Sequence, residues 1–283
     1  MIIDFHTHTF PDKIAETAIP KMQAMSHSTA FTKGTVTALK ESMLDAGIDY
    51  SVVLPVITNP PKTQNINDIS ISANGKEGLF YFGGIHPESP DIPKELKRLK
   101  DNGICGIKIH PIYQQADIDD IRFLRILYSA AENGLAVVTH SGDDIGFPGV
   151  KHCTVKMLIN ALKQVGDVTL IAAHMGGWKN WEEVEELASF KNLLVDTAFS
   201  IGSITPIDAH YSAEELSLLA EEEFLKLVKI FGSERVLFGT DSPWDCQKNL
   251  RETIENMPLS QNEKDNIFYK NAKKMVPSVS LFG

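Results

Sequence analysis

Two histidines one residue apart, in the opening segment "MIIDFHTHTF", have a spacing that can do chemistry. Side chains alternate along a β-strand, so His6 and His8 lie on one face of the predicted strand and Thr7 lies on the other. Two imidazoles that converge in this way can bind a divalent metal ion. The alternative is a pair of hydrogen-bonded or surface histidines, and this spacing alone does not decide between the two.

Further histidines and one aspartate follow apolar runs elsewhere in the chain. Six of the nine histidines end such a run. The residues in these positions are His6, His8, His86, His110, His140, His174 and Asp241. Imidazoles with a carboxylate suit a catalytic metal that keeps one position open for water, whereas structural sites are usually rich in thiolates. The three cysteines (Cys105, Cys153 and Cys246) are widely spaced and form no CxxC pair, so they favour neither a thiolate site nor a disulfide framework.

Eight short β-branched runs predict the strands that position these residues. They read "IIDF", "SVVLPV", "LFYFGGI", "GIKI", "LAVVT", "VTLIAA", "LLVDT" and "RVLFGT". Helical patterns lie between them, and two of these patterns end at Gly47 and Gly166, which suit helix C-caps. The order of strand and helix therefore alternates along nearly the whole chain.

This alternation predicts a (β/α)₈ barrel in one domain spanning residues 1–283. Eight apolar parallel strands under helices fit a barrel of about 250 residues. An open doubly wound sheet is the alternative, but it calls for a glycine-rich loop after the first strand, and "HTHTFPDK" contains no glycine. Two long segments, 58–78 and 198–215, follow strand ends and are expected to border the active site, the first with a short helix near "NINDISISA".

Composition limits the partners. The net charge is −10 and the basic residues are scattered, which argues against nucleic acid and against an anionic membrane surface. There is no signal-peptide pattern and no apolar stretch of about 18 residues that a membrane span needs. We expect a soluble, cytoplasmic protein whose partner is a small molecule or another protein, including a second copy of this chain.

Six motifs in order resemble the amidohydrolase superfamily, in the amidohydrolase-related branch that also contains aminocarboxymuconate-semialdehyde decarboxylase. They run from Ile2 to Trp244 and read "IIDFHTH", "GGIHP", "GIKIHP", "VVTHSG", "IAAHMGG" and "LFGTDSPW". The resemblance implies four metal ligands: His6, His8, His140 and Asp241. It also implies that His174 is a catalytic or substrate-polarising residue beside the metal.

The residue types agree with these roles. Asp241 can hydrogen-bond a metal-bound water and move its proton, and His174 can stabilise charge on the substrate, so both are predicted to be catalytic. One divalent ion is expected. Zinc is favoured because imidazoles dominate the donor set, with manganese or iron as alternatives.

Lys108 has several interpretations. Alternation in "GIKIH" places Lys108 and His110 on one face, toward the barrel interior, and both are predicted to bind substrate. By resemblance, Lys108 is also a candidate for a carboxylated lysine that bridges two metals. Alternatively it pairs with Asp4 or Asp241. Asp4, two residues before His6, is predicted to orient a ligand imidazole.

The substrate pocket is predicted to have aromatic walls. Trp178 and Trp244 are the predicted substrate-binding residues here, with Tyr113 and Phe147 as further candidates. No arginine falls within a predicted active-site loop, which favours hydrolysis of an amide, ester or lactone over decarboxylation, a reaction that must grip a carboxylate. The alternatives are a metal-dependent decarboxylase of a small aromatic or unsaturated acid, and a metal-binding barrel without catalysis.

Overall fold

Parallel strands follow one another around a closed barrel in the computed structural model, which describes residues 1–277. The strands are β1 Ile3–Thr7, β2 Tyr50–Val53, β3 Leu79–Tyr81, β4 Gly83–Gly84, β5 Gly106–Ile109, β6 Ala136–Thr139, β7 Leu170–Ala172, β8 Leu193–Asp196 and β9 Val236–Leu237. The barrel closes between β9 and β1, where the N–H of Phe5 donates to Phe238 O at 2.7 Å and that of Asp241 to His6 O at 2.8 Å. The predicted (β/α)₈ barrel is thereby confirmed.

The third barrel strand is divided in two. The predicted run "LFYFGGI" forms β3 and β4, and Phe82 between them still donates its N–H to Val53 O at 3.1 Å. Strands β5 to β9 are therefore the fourth to eighth strands of the barrel. The predicted second strand is shorter than its apolar run, because Pro55 has no N–H for a ladder hydrogen bond.

Helices cover the outside of the barrel. Their bounds are α1 Asp12–Ser26, α2 Val36–Ala46, α3 Thr63–Ala73, α4 Ile92–Asp101, α5 Ile121–Glu132, α6 Val155–Val165, α7 Ala213–Leu216, α8 Glu221–Phe231, α9 Gln247–Asn256, α10 Gln261–Asp265 and α11 Asn271–Met275. Helix α3 is the short helix predicted within segment 58–78. Helices α2 and α6 end as predicted at Gly47 and Gly166, whose φ angles of +65° and +77° favour glycine. Among residues 1–277, no helix is long and apolar enough to cross a membrane.

Apolar side chains fill the lower part of the barrel and leave its mouth to polar groups. Phe5, Val52, Phe82, Val138 and Ile171 pack in one buried cluster, and a second cluster lies between the strands and the helices. The buried polar side chains follow at the carboxyl ends of the same strands. Chemistry at the mouth therefore rests on a rigid apolar base.

An irregularity in β1 corrects the prediction for Asp4. The pairing of β1 with β2 shifts between Asp4 and Thr7, so simple alternation does not hold there. Asp4 accepts hydrogen bonds from Thr240 Oγ1 at 2.6 Å, Thr240 N at 3.0 Å and Gln247 Nε2 at 2.7 Å. Asp4 contacts no imidazole ring. It instead ties β1 to the segment after β9 and to α9.

Stability should depend on the protonation of Asp4. Burial raises the pKa of Asp4 from 3.8 to about 6. Because the folded pKa exceeds the unfolded one, protonation stabilises the folded state at low pH, and this contribution is lost as the pH rises through 6. Asp4→Asn should be less stable than the wild type at pH 5, because its NH₂ group meets donors, and this deficit should shrink by about 1 kcal/mol at pH 8.

Urea unfolding of both proteins at the two pH values, with chelator present, measures the difference. Asp45→Asn, at an exposed aspartate on α2, is the control and should follow the wild type at both pH values. A deficit for Asp4→Asn that is equal at pH 5 and pH 8 would contradict the assignment.

Candidate active site

One cavity of about 740 Å³ opens at the carboxyl ends of the strands. The nine residues predicted as metal ligands, catalytic groups or substrate-binding residues all line it: His6, His8, Lys108, His110, His140, His174, Trp178, Asp241 and Trp244. Parallel strands bring these side chains together because all their carboxyl ends meet at one edge of the barrel. Their chemical roles depend on how they are oriented.

Two imidazoles of β1 and its end are oriented by acceptors on other strands. His6 Nδ1 donates to Asp196 Oδ2 at 2.8 Å, and His8 Nδ1 donates to the carbonyl oxygen of Leu54 at 2.7 Å. Burial and the charge of Lys108 hold the pKa of His6 well below its ordinary value, which favours the neutral ring. A neutral imidazole with its hydrogen on Nδ1 has a lone pair on Nε2.

These lone pairs face each other and a carboxylate. His6 Nε2 and His8 Nε2 are 3.2 Å apart, and Asp241 Oδ1 lies 3.3 Å from the first and 3.0 Å from the second. We call these three atoms the acceptor cluster. When both rings are neutral and carry their hydrogen on Nδ1, no hydrogen lies between these three atoms, an arrangement that is costly unless a proton or a cation joins them.

The acceptor cluster fits a divalent metal ion. Ligands at 2.0 to 2.1 Å from a tetrahedral ion are about 3.3 Å apart, close to the separations observed between its three atoms. Two imidazoles and a carboxylate are also donors that zinc accepts. His6, His8 and Asp241 therefore have the chemistry and the spacing to hold such an ion.

The fourth predicted ligand, His140, lies apart from this group. His140 Nε2 donates to Asp143 O and His174 Nδ1 donates to Ala198 O, both at 2.9 Å. The remaining nitrogens, His140 Nδ1 and His174 Nε2, are 3.0 Å apart. They form a second pair of facing lone pairs, which needs a proton or a cation between them. His140 also groups with His110 and Asp144, with ligand atoms within 4.8 Å of one another.

The side chain of Lys108 ends beside the acceptor cluster. It is buried, and Nζ lies 3.2 Å from His6 Nε2. Burial lowers the pKa of Lys108 to about 8, while Asp196 and Asp241 act in the opposite direction. The predicted ion pair with Asp4 is not formed, because Asp4 binds Thr240 and Gln247 instead. The ammonium thus supplies a positive charge beside the lone pair of His6.

A comparison with protein families shows to which family the chain belongs. The sequence pattern of the family described as Amidohydrolase matches residues 3–277. The chain belongs to the amidohydrolase family. This confirms the resemblance inferred from the six motifs. Among curated proteins, none matches the chain significantly.

Solved structures with the same fold include members with different reactions. The 2,6-dihydroxybenzoate decarboxylase from Rhizobium has a TM-score of 0.69 at 13% identity, with 100% of this chain and 99% of that chain covered. For 5-carboxyvanillate decarboxylase from Sphingomonas paucimobilis the TM-score is 0.64 at 14% identity, with 98% of each chain covered. For a candidate 2-pyrone-4,6-dicarboxylic acid hydrolase from Pseudomonas putida it is 0.66 at 14%, with 98% and 97% covered. At these identities the likeness establishes the fold alone.

The backbone is strained where two of the predicted site residues leave the strands. Asp241 and His174 have φ angles of +63° and +61°, in the left-handed region that most residues avoid. Burial alone would raise the pKa of Asp241, but its contact with His8 and the nearby imidazoles of His6 and His174 bring it well below the ordinary value. Asp241 is therefore ionised at neutral pH.

Asp196 is a residue that the sequence analysis missed. Its Oδ2 accepts from His6, and its Oδ1 accepts from the N–H groups of His174 and Ala198 at 2.9 and 3.2 Å. One buried carboxylate thus holds residues of β1 and of the segments after β7 and β8. The signal was present, because Asp196 ends the run "LLVD" as the other site residues end theirs.

The remaining candidates divide between the cavity and its surroundings. Trp178 and Tyr113 line the cavity. Phe147 does not line it, and its ring lies beside that of Tyr113 with 5.1 Å between the centroids. His86 lines a smaller neighbouring cavity of about 250 Å³. Within residues 1–277 no arginine lines the main cavity, as the sequence predicted, and Arg122 is instead paired with Asp120.

Replacing Asp196 should reverse the orientation of the His6 hydrogen. In Asp196→Asn, the two backbone N–H groups hold the amide oxygen, so the NH₂ group faces His6 Nδ1. His6 must then carry its hydrogen on Nε2, where it blocks metal binding. We expect the metal affinity to fall by about 10- to 100-fold, measured by competition with a chelating dye.

Asp208→Asn is the matched control, because Asp208 Oδ2 accepts from His27 Nδ1 at 2.9 Å outside the cavity. It should leave the metal affinity unchanged. An Asp196→Asn protein that bound metal as tightly as the wild type would refute the orienting role of Asp196.

Proposed function

We propose that this protein is a metal-dependent hydrolase that cleaves an ester, lactone or amide bond of a small molecule. The observation that carries the proposal is the acceptor cluster, three acceptors within 3.3 Å of one another that open into a cavity lined by no arginine of residues 1–277. A neutral carbonyl substrate suits such a cavity better than a carboxylate does, because a bound carboxylate is usually held by arginine or by the metal.

We propose one zinc ion at His6, His8 and Asp241, with His140 as the fourth ligand expected from the resemblance. Zinc in such a site polarises a carbonyl group and lowers the pKa of water from 15.7 to about 7. The facing lone pairs of His140 and His174 support a cation in this region, since the two nitrogens are 3.0 Å apart. A binuclear site with a modified Lys108 is the alternative.

Asp241 is the proposed proton carrier. Its Oδ1 faces the two imidazoles, so Oδ2 is the oxygen available to take a proton from the attacking water and pass it to the leaving group. Because its pKa lies well below the ordinary value, Asp241 begins the reaction ionised, as a proton acceptor must.

Two groups are placed to stabilise negative charge on the substrate oxygen. His174 Nδ1 donates to Ala198 O, so its Nε2 can donate only when the ring is protonated. Burial lowers the pKa of His174, whereas Asp241 and Asp196 favour its protonated form. Lys108 carries its proton more readily, since its pKa is about 8. We therefore propose that Lys108 shares this role with His174.

Decarboxylation is the second candidate, and the lysines favour it. Lys108 and Lys62 both line the cavity and can hold a carboxylate. The similar structures named above include two decarboxylases. Hydrolysis remains the better-supported proposal, because the ionised Asp241 is the proton acceptor that hydrolysis needs and no arginine among residues 1–277 lines the cavity to hold a carboxylate.

The two reactions can be separated directly. Purified metal-loaded protein should hydrolyse members of a panel of lactones, esters and aryl amides, followed by acid release, and should release no CO₂ from a panel of aromatic carboxylates. Asp241→Asn should lower kcat/KM by about 10²-fold or more in the reaction that is found. CO₂ release without hydrolysis would overturn the hydrolase proposal in favour of decarboxylation.

His140 and His174 should differ in their effects on the metal. His140→Ala should lower both metal content and activity, because the ion loses a ligand. His174→Asn should leave about one equivalent of metal per chain while kcat/KM falls by about 10²- to 10³-fold. Metal quantification beside kinetics checks both variants.

Three outcomes would change the assignment. Loss of metal in His174→Asn would make His174 a ligand, and full activity would make it a bystander. Two equivalents of metal in the wild type, with a modified Lys108, would replace the mononuclear site with a binuclear one. The double variant His6→Ala, His8→Ala is the control that should bind no metal.

A further inference from the structure

The active-site cavity extends well beyond the groups that do chemistry. Phe10, three residues of α1 and two of α3 contribute apolar side chains to its lining, which we call the apolar channel: Phe10, Ile14, Met22, Met25, Ile66 and Ile69. The acceptor cluster lines the same cavity, so the channel is continuous with the proposed reaction site. A ligand that fills the whole cavity therefore contacts both.

The channel residues of α1 are spread along that helix. Ile14 and Met25 lie eleven residues apart on α1, which corresponds to about 16 Å of helix. Apart from Phe10, the channel walls are aliphatic and thioether side chains, and two of the six residues are methionines, which adapt their shape to an apolar ligand. A flexible, elongated chain suits these walls better than a flat ring does.

Several channel residues are exposed although they are strongly apolar. Ile14, Met25 and Ile69 have 50%, 38% and 55% of their surface exposed. Such a group of exposed apolar side chains at the rim of a cavity marks a surface that a ligand covers.

We infer that the substrate carries an extended alkyl arm, which lies in the apolar channel between α1 and α3 while its carbonyl group lies at the acceptor cluster. This inference rests on the proposed hydrolase function, which supplies the carbonyl group. It narrows the substrate class to alkyl-substituted lactones, esters or amides. Burial of the arm provides binding free energy far from the reacting bond.

The test uses ligands that cannot be hydrolysed. Methyl ketones with straight alkyl arms of three to nine carbons present a carbonyl group without a leaving group, and calorimetry with metal-loaded protein gives Kd for each. We expect Kd to fall about three- to fourfold for each added methylene. A Kd that does not depend on chain length would overturn the inference.

Ile69→Lys places a charge in the channel wall. It should raise Kd at least tenfold for the ketone with the nine-carbon arm. For the ketone with the three-carbon arm, Kd should stay within twofold of the wild-type value. Ile121→Lys is the matched control, an isoleucine on α5 with 58% of its surface exposed that does not line the cavity. It should reproduce the wild-type series. Equal effects of the two variants would also overturn the inference.

The failure of this inference and that of the proposed function are distinguishable. If ketone binding strengthens with chain length but no ester, lactone or amide is hydrolysed, the channel is confirmed and the hydrolase proposal fails. If short esters or lactones are hydrolysed but the ketone series is flat, the hydrolase stands and the alkyl arm is rejected.

Discussion

Each imidazole of the acceptor cluster has one nitrogen bound to an acceptor in the scaffold, and that bond determines where its lone pair points. Asp196 fixes His6, and the carbonyl oxygen of Leu54 fixes His8. Backbone carbonyls fix His140 and His174 in the same way. The remaining ring nitrogens then face one another or Asp241, and their lone pairs are satisfied only by protons or by a cation. Metal affinity is therefore a property of the acceptors behind the histidines as much as of the histidines.

Three of the four acceptors lie at or after the ends of other strands than the histidines that they orient, and the exception is Asp143, three residues after His140. His6 lies on β1 but binds Asp196 at the end of β8, and His174 follows β7 but binds Ala198 beyond β8. A shift of one residue in either strand pairing would turn the acceptor to the opposite face and release the ring. The strand register of the barrel therefore also determines which nitrogen of each of these imidazoles carries the hydrogen. The strained φ angles of His174 and Asp241 persist because the packed strands on either side hold them.

The sequence predicted the barrel and the gathering of site residues for a single physical reason. Parallel strands end at one edge, so His110, His140, His174 and Asp241 had to meet if each ended a strand. Alternation failed at Asp4 because a local register shift in β1 turns its side chain toward Thr240 and Gln247. Periodicity within one strand carries no information about such a shift, which depends on pairing with β2.

The sequence pattern also could not show which side chains of different strands would contact each other. Asp196 carried the same strand-end signal as Asp241, yet its contact with His6 depends on the closure of a barrel around residues 190 positions apart. The position of His140 beside His110 and Asp144 depends on side-chain orientation, which strand spacing does not fix. The apolar channel combines residues of α1 and α3, and neither helix shows by itself which of its apolar residues will line a cavity.

One barrel can support different reactions because its chemical groups and its cavity walls come from different parts of the chain. The groups proposed to bind a metal and move a proton come from strand ends, which the barrel places with little freedom. The walls that select a substrate come from α1, α3 and the long segments after the strands, which can change without disturbing the strand register. Decarboxylases and a candidate hydrolase share this fold over nearly their whole length at 13 to 14% identity. In this chain the two proposed chemistries would share the strand-end groups, Asp241 and Lys108 among them, and the cavity walls add a large apolar region from α1 and α3.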